Sequence, residues 1–180
     1  MQTVKTACAK GAGEAGRNEN RVTMAGLANG TRFPSMELQR VGGNRLSLPD
    51  ELDGAYGVVL AFRGSWCTRC NAQLSLFQQA LPQFASEDIG IVAFSTDDES
   101  HANEMVTSNG IEFPVGYGVD VEDISQLLKG YTNDAHRSLE SSNFLLRPDG
   151  TIELSVYSSG PIGRLVPEDV IDIVRRRRRQ

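Results

Sequence analysis

Cys67 and Cys70 stand three positions apart, between an apolar run and an amphipathic one. The apolar run, Val58-Val59-Leu60-Ala61-Phe62, is short and aliphatic, which predicts a buried strand over about 57–62. Downstream, Leu74, Phe77, Leu81 and Phe84 recur at helical spacing, which predicts a helix over about 65–85 with a kink at Pro82. A cysteine pair at a strand-to-helix junction reads as a redox dithiol. With Cys67 at the helix start, backbone N–H groups and the positive end of the dipole face its sulfur and favour thiolate. Cys70 follows about one turn later on the same face, within the ~4.4–6.8 Å between Cα atoms that a disulfide tolerates. Cys67 is the expected nucleophile and Cys70 its partner.

The neighbours of the pair supply further candidates. Arg63 and Arg69 are near enough to add positive potential, although Arg63 has a rival use in a salt bridge and Arg69 in solvent. Trp66 reads as a shield for the sulfur and a partner surface, or as a packing residue. Ser65, Trp66 and Arg69 are the candidate substrate-binding residues, and Arg63 joins the cysteines as a candidate catalytic one. Zinc is the rival use of such a pair, but a structural site needs four ligands and only Cys8, His101 and His136 remain, scattered. Neither a metal nor an organic cofactor is expected. Gly11, Gly13 and Gly16 follow no apolar strand and complete no phosphate-binding fingerprint. Asp97 and Asp98 read as helix caps, and His136 as a loop residue with general-base capacity as its minor alternative.

Composition narrows the class. Three cysteines do not make a structural disulfide framework, so a reducing cytoplasm is the expected setting. A formal net charge of −5 argues against a nucleic-acid partner, and the Arg175–Arg179 run reads as a helix end whose cations suit the last carbonyls. No run approaches the ~20 apolar residues of a membrane span, and the first residues lack the apolar stretch of a secretory signal. Residues 1–29 are polar, glycine-rich and free of aromatics, which predicts a flexible tail, with one domain over 30–180.

Within that domain, Met36, Leu38, Leu46 and Leu48 around Gly42-Gly43-Asn44 predict a leading hairpin. Further strands are expected over 89–95 and 113–117, and helices through 101–108 and over 120–129, the last closed by Gly130. A hairpin about Pro148-Asp149-Gly150 and a terminal helix opened by Pro167 complete the order, with Val170, Ile173 and Val174 facing inward. Alternating strands and helices imply an α/β fold with a central mixed sheet covered on both faces.

These residues resemble the peroxiredoxin-like branch of the alkyl hydroperoxide reductase/thiol-specific antioxidant family over about 30–175. The carriers are Phe62-Arg63-Gly64-Ser65-Trp66-Cys67-Thr68-Arg69-Cys70-Asn71-Ala72-Gln73-Leu74, Val92 to Asp98, Phe144 to Gly150, and the hairpin residues Leu38, Gly42 and Leu46. The resemblance implies a thioredoxin-like fold, with Cys67 as peroxidatic or attacking cysteine and Cys70 as its resolving partner. Two departures stand out. Leu60 and Gly64 replace the proline and threonine of the family's Pro-x-x-x-Thr-x-x-Cys motif. Glu140-Ser141-Ser142-Asn143 carries neither the proline that thioredoxins place beside the disulfide nor, at Ser141, the peroxiredoxin arginine. The expected activity is reduction of a peroxide through a Cys67 sulfenic acid, with a thioredoxin-type external thiol as reductant. Reduction of a protein disulfide and a non-catalytic redox sensor are the alternatives.

Overall fold

The computed structural model describes residues 26–52 and 54–180. The leading hairpin is β1 (Met36–Arg40) and β2 (Arg45–Leu48). β3 (Tyr56–Ala61) runs into helix α1 (Thr68–Gln79), followed by α2 (Leu81–Ser86), β4 (Ile89–Phe94), α3 (Glu99–Asn109), β5 (Val115–Tyr117) and α4 (Val121–Leu128). A short pair, β6 (Thr132–Asn133) and β7 (Ser138–Leu139), precedes the hairpin β8 (Ser142–Leu146) and β9 (Ile152–Tyr157), and α5 (Pro167–Arg178) closes the chain.

Seven strands form one sheet in the order β2-β1-β5-β4-β3-β8-β9. The sheet is mixed, as the alternating pattern implies: β3 is parallel to β4 and antiparallel to β8. β3 alternates its side chains with period two. Val58, Leu60 and Phe62 pack beneath α1, α2, α3 and α5, whereas Val59 and Ala61 join Phe94, Phe144 and α4 on the other face. The dithiol helix is thus laid over the centre of the sheet by Leu74 and Phe77, both fully buried.

Several boundaries differ from the sequence reading, each for a local reason. The helix expected over 65–85 starts only at Thr68 and breaks at Ala80. Pro82 lacks the N–H that would bond the Gln78 carbonyl, so the chain restarts as a separate short helix. Asp98 caps α3 by accepting from the His101 N–H at 2.9 Å, and Gly110 closes it in the left-handed region. For α4 that left-handed position is taken by Lys129 (φ 53°), not by Gly130. Gly130 serves close approach instead, since a Cβ there would lie 2.9 Å from Leu139 Cδ1. In α5, Ile171 is buried beside Val170 and Val174, while Ile173 is half-buried.

The expected tail boundary at residue 30 falls inside a tied segment. Leu27 donates its N–H to the Tyr157 hydroxyl at 2.9 Å, and its carbonyl accepts from Ser155. Residues 1–25 of that expectation, with Cys8, lie outside the described residues. The C-terminal arginines are tethered to acidic side chains: Arg175 pairs with Glu87 at 2.7 Å and Arg177 with Glu153 at 2.6 Å, while Arg178 reaches Glu87 at 3.5 Å. No described helix is long and apolar enough to cross a membrane. Leu74→Ala, which opens a cavity under the dithiol helix, is expected to cost ~2–5 kcal/mol in equilibrium urea unfolding.

Candidate active site

The strand-to-helix junction seats both sulfurs. Cys67 is the N-cap of α1, with extended backbone (φ −87°, ψ 100°), and its carbonyl accepts the N–H groups of Cys70 at 2.9 Å and Asn71 at 3.0 Å. The turn before it is braced from outside. Asp97 accepts the Ser65 N–H at 2.7 Å, and the Ser65 carbonyl accepts the Asn71 amide at 2.8 Å. Asp97 is therefore a brace for this loop, while Asp98 alone fills the cap expected of the two.

Gly64 explains the missing threonine. Its φ is +146°, and a Cβ would lie 2.5 Å from Trp66 Nε1 and 2.9 Å from Asp97 Oδ1. The indole occupies the space that a side chain at this position would need.

Both cysteines are free thiols, with Cys67 4% and Cys70 0% exposed. Burial by itself would push the Cys67 thiol up. It is outweighed by the Cys70 thiol donating to its sulfur, by the nearby Cys70 N–H, and by the positive charges of Arg63 and Arg164, so the net direction is downward. Cys70 goes the other way. Burial, first, and its donation to Cys67 push it up to about 11. The two environments thus favour thiolate at Cys67 and the protonated thiol at Cys70.

Arg63 is nearly buried, at 8% exposure. Its Nη1 lies 3.9 Å from Cys67 Sγ and its Nε 3.0 Å from Glu140 Oε2, a charge contact without hydrogen-bond alignment. Glu140 is held in turn by the Asn133 amide at 2.8 Å. The Arg63 guanidinium also lies 4.6 Å from the Trp66 ring centre, and His136 stacks on that indole at 3.8 Å. Trp66 is 42% exposed and forms the outer rim. Arg69 is exposed on α1 and lines a groove of about 290 Å³ with Leu76, Ile162 and Arg164. Ser65 contributes its backbone to the brace and sits half-buried.

Arg164 is the residue that the sequence reading missed. It lies 94 positions beyond Cys70, yet its Nη2 is 3.4 Å from Cys70 Sγ and 4.0 Å from Cys67 Sγ. It belongs to a strap, residues 158–166, that crosses α1. Gln73 on α1 donates to the Leu165 carbonyl and to Asn143 Oδ1, both at 2.9 Å, and Asn143 accepts the Leu165 N–H at 3.1 Å. The only local signal was the turn-forming run Gly160-Pro161-Ile162-Gly163 just ahead of it.

The mixed sheet flanked by helices is a thioredoxin-like fold, and comparison with known proteins makes the chain a thiol-dependent oxidoreductase. The AhpC/TSA family model matches residues 29–155, and the chain belongs to that family. Among curated relatives, a peroxiredoxin of Methanothermobacter thermautotrophicus is 28% identical over 149 residues, covering 78% of this chain and 69% of the relative. The thiol-disulfide oxidoreductase ResA of Bacillus subtilis is 29% identical over 127 residues, covering 70% of this chain and 65% of that protein. The alignments thus span about two thirds of these two relatives. In structure, Mycobacterium tuberculosis AhpC superposes with a TM-score of 0.71 at 19% identity, covering 84% of this chain and 93% of that one, which establishes the shared fold.

Two outcomes test this geometry. The pH profile of Cys67 alkylation by iodoacetamide is expected to have its midpoint below that of an ordinary thiol. Arg63→Gln removes a cation that favours thiolate, so the midpoint should rise, with roughly a tenfold loss of thiolate per pKa unit. Gly64→Thr, which restores the family residue, is expected to destabilise the fold by ~1–3 kcal/mol in thermal or urea unfolding, because neither its φ nor its space admits a side chain.

Proposed function

We propose that the protein reduces peroxides. The Cys67 thiolate attacks the O–O bond, one oxygen leaves as alcohol or water after taking up a proton, and Cys67 becomes a sulfenic acid. Cys70 then condenses with it, releasing water and leaving a disulfide. An external thiol of thioredoxin type reduces that disulfide, in the reducing cytoplasm that the composition suggests. Neither a metal nor an organic cofactor enters this scheme.

The observation that carries the reading is the seat of the two sulfurs: Cys67 is the N-cap of α1, with Cys70 one turn on. The guanidiniums of Arg63 and Arg164 lie 3.9 Å and 4.0 Å from the Cys67 sulfur, which draws Cys67 toward thiolate while burial favours the proton on Cys70. Its narrow exposure favours a small oxidant, since only 4% of Cys67 is open beside Trp66. Arg63, fixed by Glu140, is the cation placed to favour the attacking thiolate where the usual threonine hydroxyl is absent. Trp66 and Ser65 frame the approach, and Arg69 lies further out on the groove.

Disulfide exchange is the second reading, supported by the similarity to a relative named thiol-disulfide oxidoreductase. There Cys67 would attack a protein disulfide and Cys70 would resolve the mixed disulfide. That substrate would need Trp66 or the strap to move aside.

Steady-state peroxide consumption with a thioredoxin-type donor separates the two. Wild type should consume peroxide, Cys67→Ser should lose all turnover, and Cys70→Ser should hold a sulfenic acid that dimedone labels. Reduction of insulin disulfides with no peroxide loss would replace this reading with exchange. Turnover of neither substrate would favour a sensor.

A further inference from the structure

We infer that Arg164 activates Cys70: both guanidiniums at the dithiol favour the Cys67 thiolate, but only that of Arg164 also lies against the resolving sulfur and serves it. The inference rests on the dithiol chemistry proposed above and assigns a role to a residue outside the Cys-x-x-Cys segment.

Geometry divides the work. Arg164 Nη2 is nearer to Cys70 Sγ, at 3.4 Å, than to Cys67 Sγ, at 4.0 Å. Arg63 Nη1 reaches Cys67, at 3.9 Å. Charge divides it too. Arg63 faces the Glu140 carboxylate, whereas Arg164 forms no ion pair among the described residues. Its Nη1 donates to the Gly163 carbonyl at 2.8 Å, and its buried Nε has no partner. Among the described residues, no carboxylate neutralises the cation beside Cys70. The clasp of Gln73 and Asn143 on Leu165 fixes the backbone next to it, so the contact does not depend on a free loop.

The resolving step needs such a group. Cys70 is fully buried, and its thiol is pushed up by burial first and then by its donation to Cys67. Once Cys67 carries a sulfenic acid, that sulfur is no longer an anion and no longer holds the Cys70 proton. Burial remains as the obstacle to Cys70 ionisation. The charged and polar groups that face Cys70 against it are the Arg63 backbone N–H and the Arg164 guanidinium. The Cys70 thiol then releases its proton, and its thiolate attacks the Cys67 sulfur. The S–S bond forms as the S–O bond breaks, and the departing hydroxide takes up a proton as water. In the reductive direction Cys70 leaves as thiolate beside the same guanidinium.

The step can be isolated without peroxide. The full-length protein is treated with methyl methanethiosulfonate, a reagent small enough for the narrow opening, which converts Cys67 to a methyl mixed disulfide. Cys70 then displaces methanethiolate and closes the Cys67–Cys70 disulfide. Acid-quenched mass spectrometry follows both phases as a function of pH for wild type, Arg164→Gln and Arg164→Lys. Arg164→Gln is expected to slow the second phase at neutral pH by at least roughly tenfold, the effect of one pKa unit, and to move its midpoint to higher pH. The first phase should change by less than about threefold, a fraction of a pKa unit, and Arg164→Lys should recover part of the second-phase rate. A second phase with wild-type rate and midpoint in Arg164→Gln would overturn the assignment. So would equal slowing of both phases with no shift in midpoint, which would make the arginine merely structural. Loss of peroxide turnover in the wild type, with these exchange kinetics intact, would sink the peroxidase reading and leave this one standing.

Discussion

Three distant segments of the chain meet at one buried pair of amides. Gln73 comes from the dithiol helix, Asn143 from the strand beside β3, and the Leu165 backbone from the strap. Both amide side chains are almost fully enclosed. A buried amide that loses its partner bears its whole desolvation penalty, on the order of 1–3 kcal/mol, so such a clasp tolerates little drift. Here it sets the distance between the sulfurs on α1 and the arginine on the strap. Without it, the strap would lose the hydrogen bonds that tie its backbone at Leu165 to the helix and to β8.

Around that clasp the site resolves a conflict between enclosure and charge. Burial opposes ionisation of any thiol, and both sulfurs are enclosed. The chain answers with fixed positive groups rather than with hydroxyls. Arg63 is carried out of β3 directly toward Cys67, and its own burial is made tolerable by Glu140. Gly64 has no side chain to offer, and the indole that fills its place is contacted by both Arg63 and His136. Where the family's motif has threonine, the space is thus taken by the indole and by the Asp97 carboxylate.

What the sequence disclosed and what it withheld follow from range. The cysteine pair, the strand before it and the apolar spacing of Leu74 and Phe77 are local patterns, and they placed the junction, the mixed sheet and the order of elements. Break points were less legible. Pro82 hinted at a kink, but whether a helix bends or restarts is decided by packing on either side. The left-handed residue after α4 looked assignable to Gly130, yet crowding against Leu139 claims that glycine and leaves the strained turn to Lys129. The two-residue strands β6 and β7 are too short to show a period. Arg164, Asp97 and Glu140 were out of reach for one reason: each acts through contacts spanning 32 to 97 residues of chain, and no local pattern encodes them. The arginine run at the C-terminus showed its charge but not that Glu87 and Glu153 would tether it.

Trp66 is the sole tryptophan of the chain. It adjoins Cys67 in sequence, with a guanidinium near one ring and an imidazole stacked on it. Its fluorescence therefore originates at a single place, within reach of whatever charge the neighbouring sulfur gains or sheds. The molecule thus carries a single intrinsic optical reporter seated beside the thiol pair, readable in unlabelled protein.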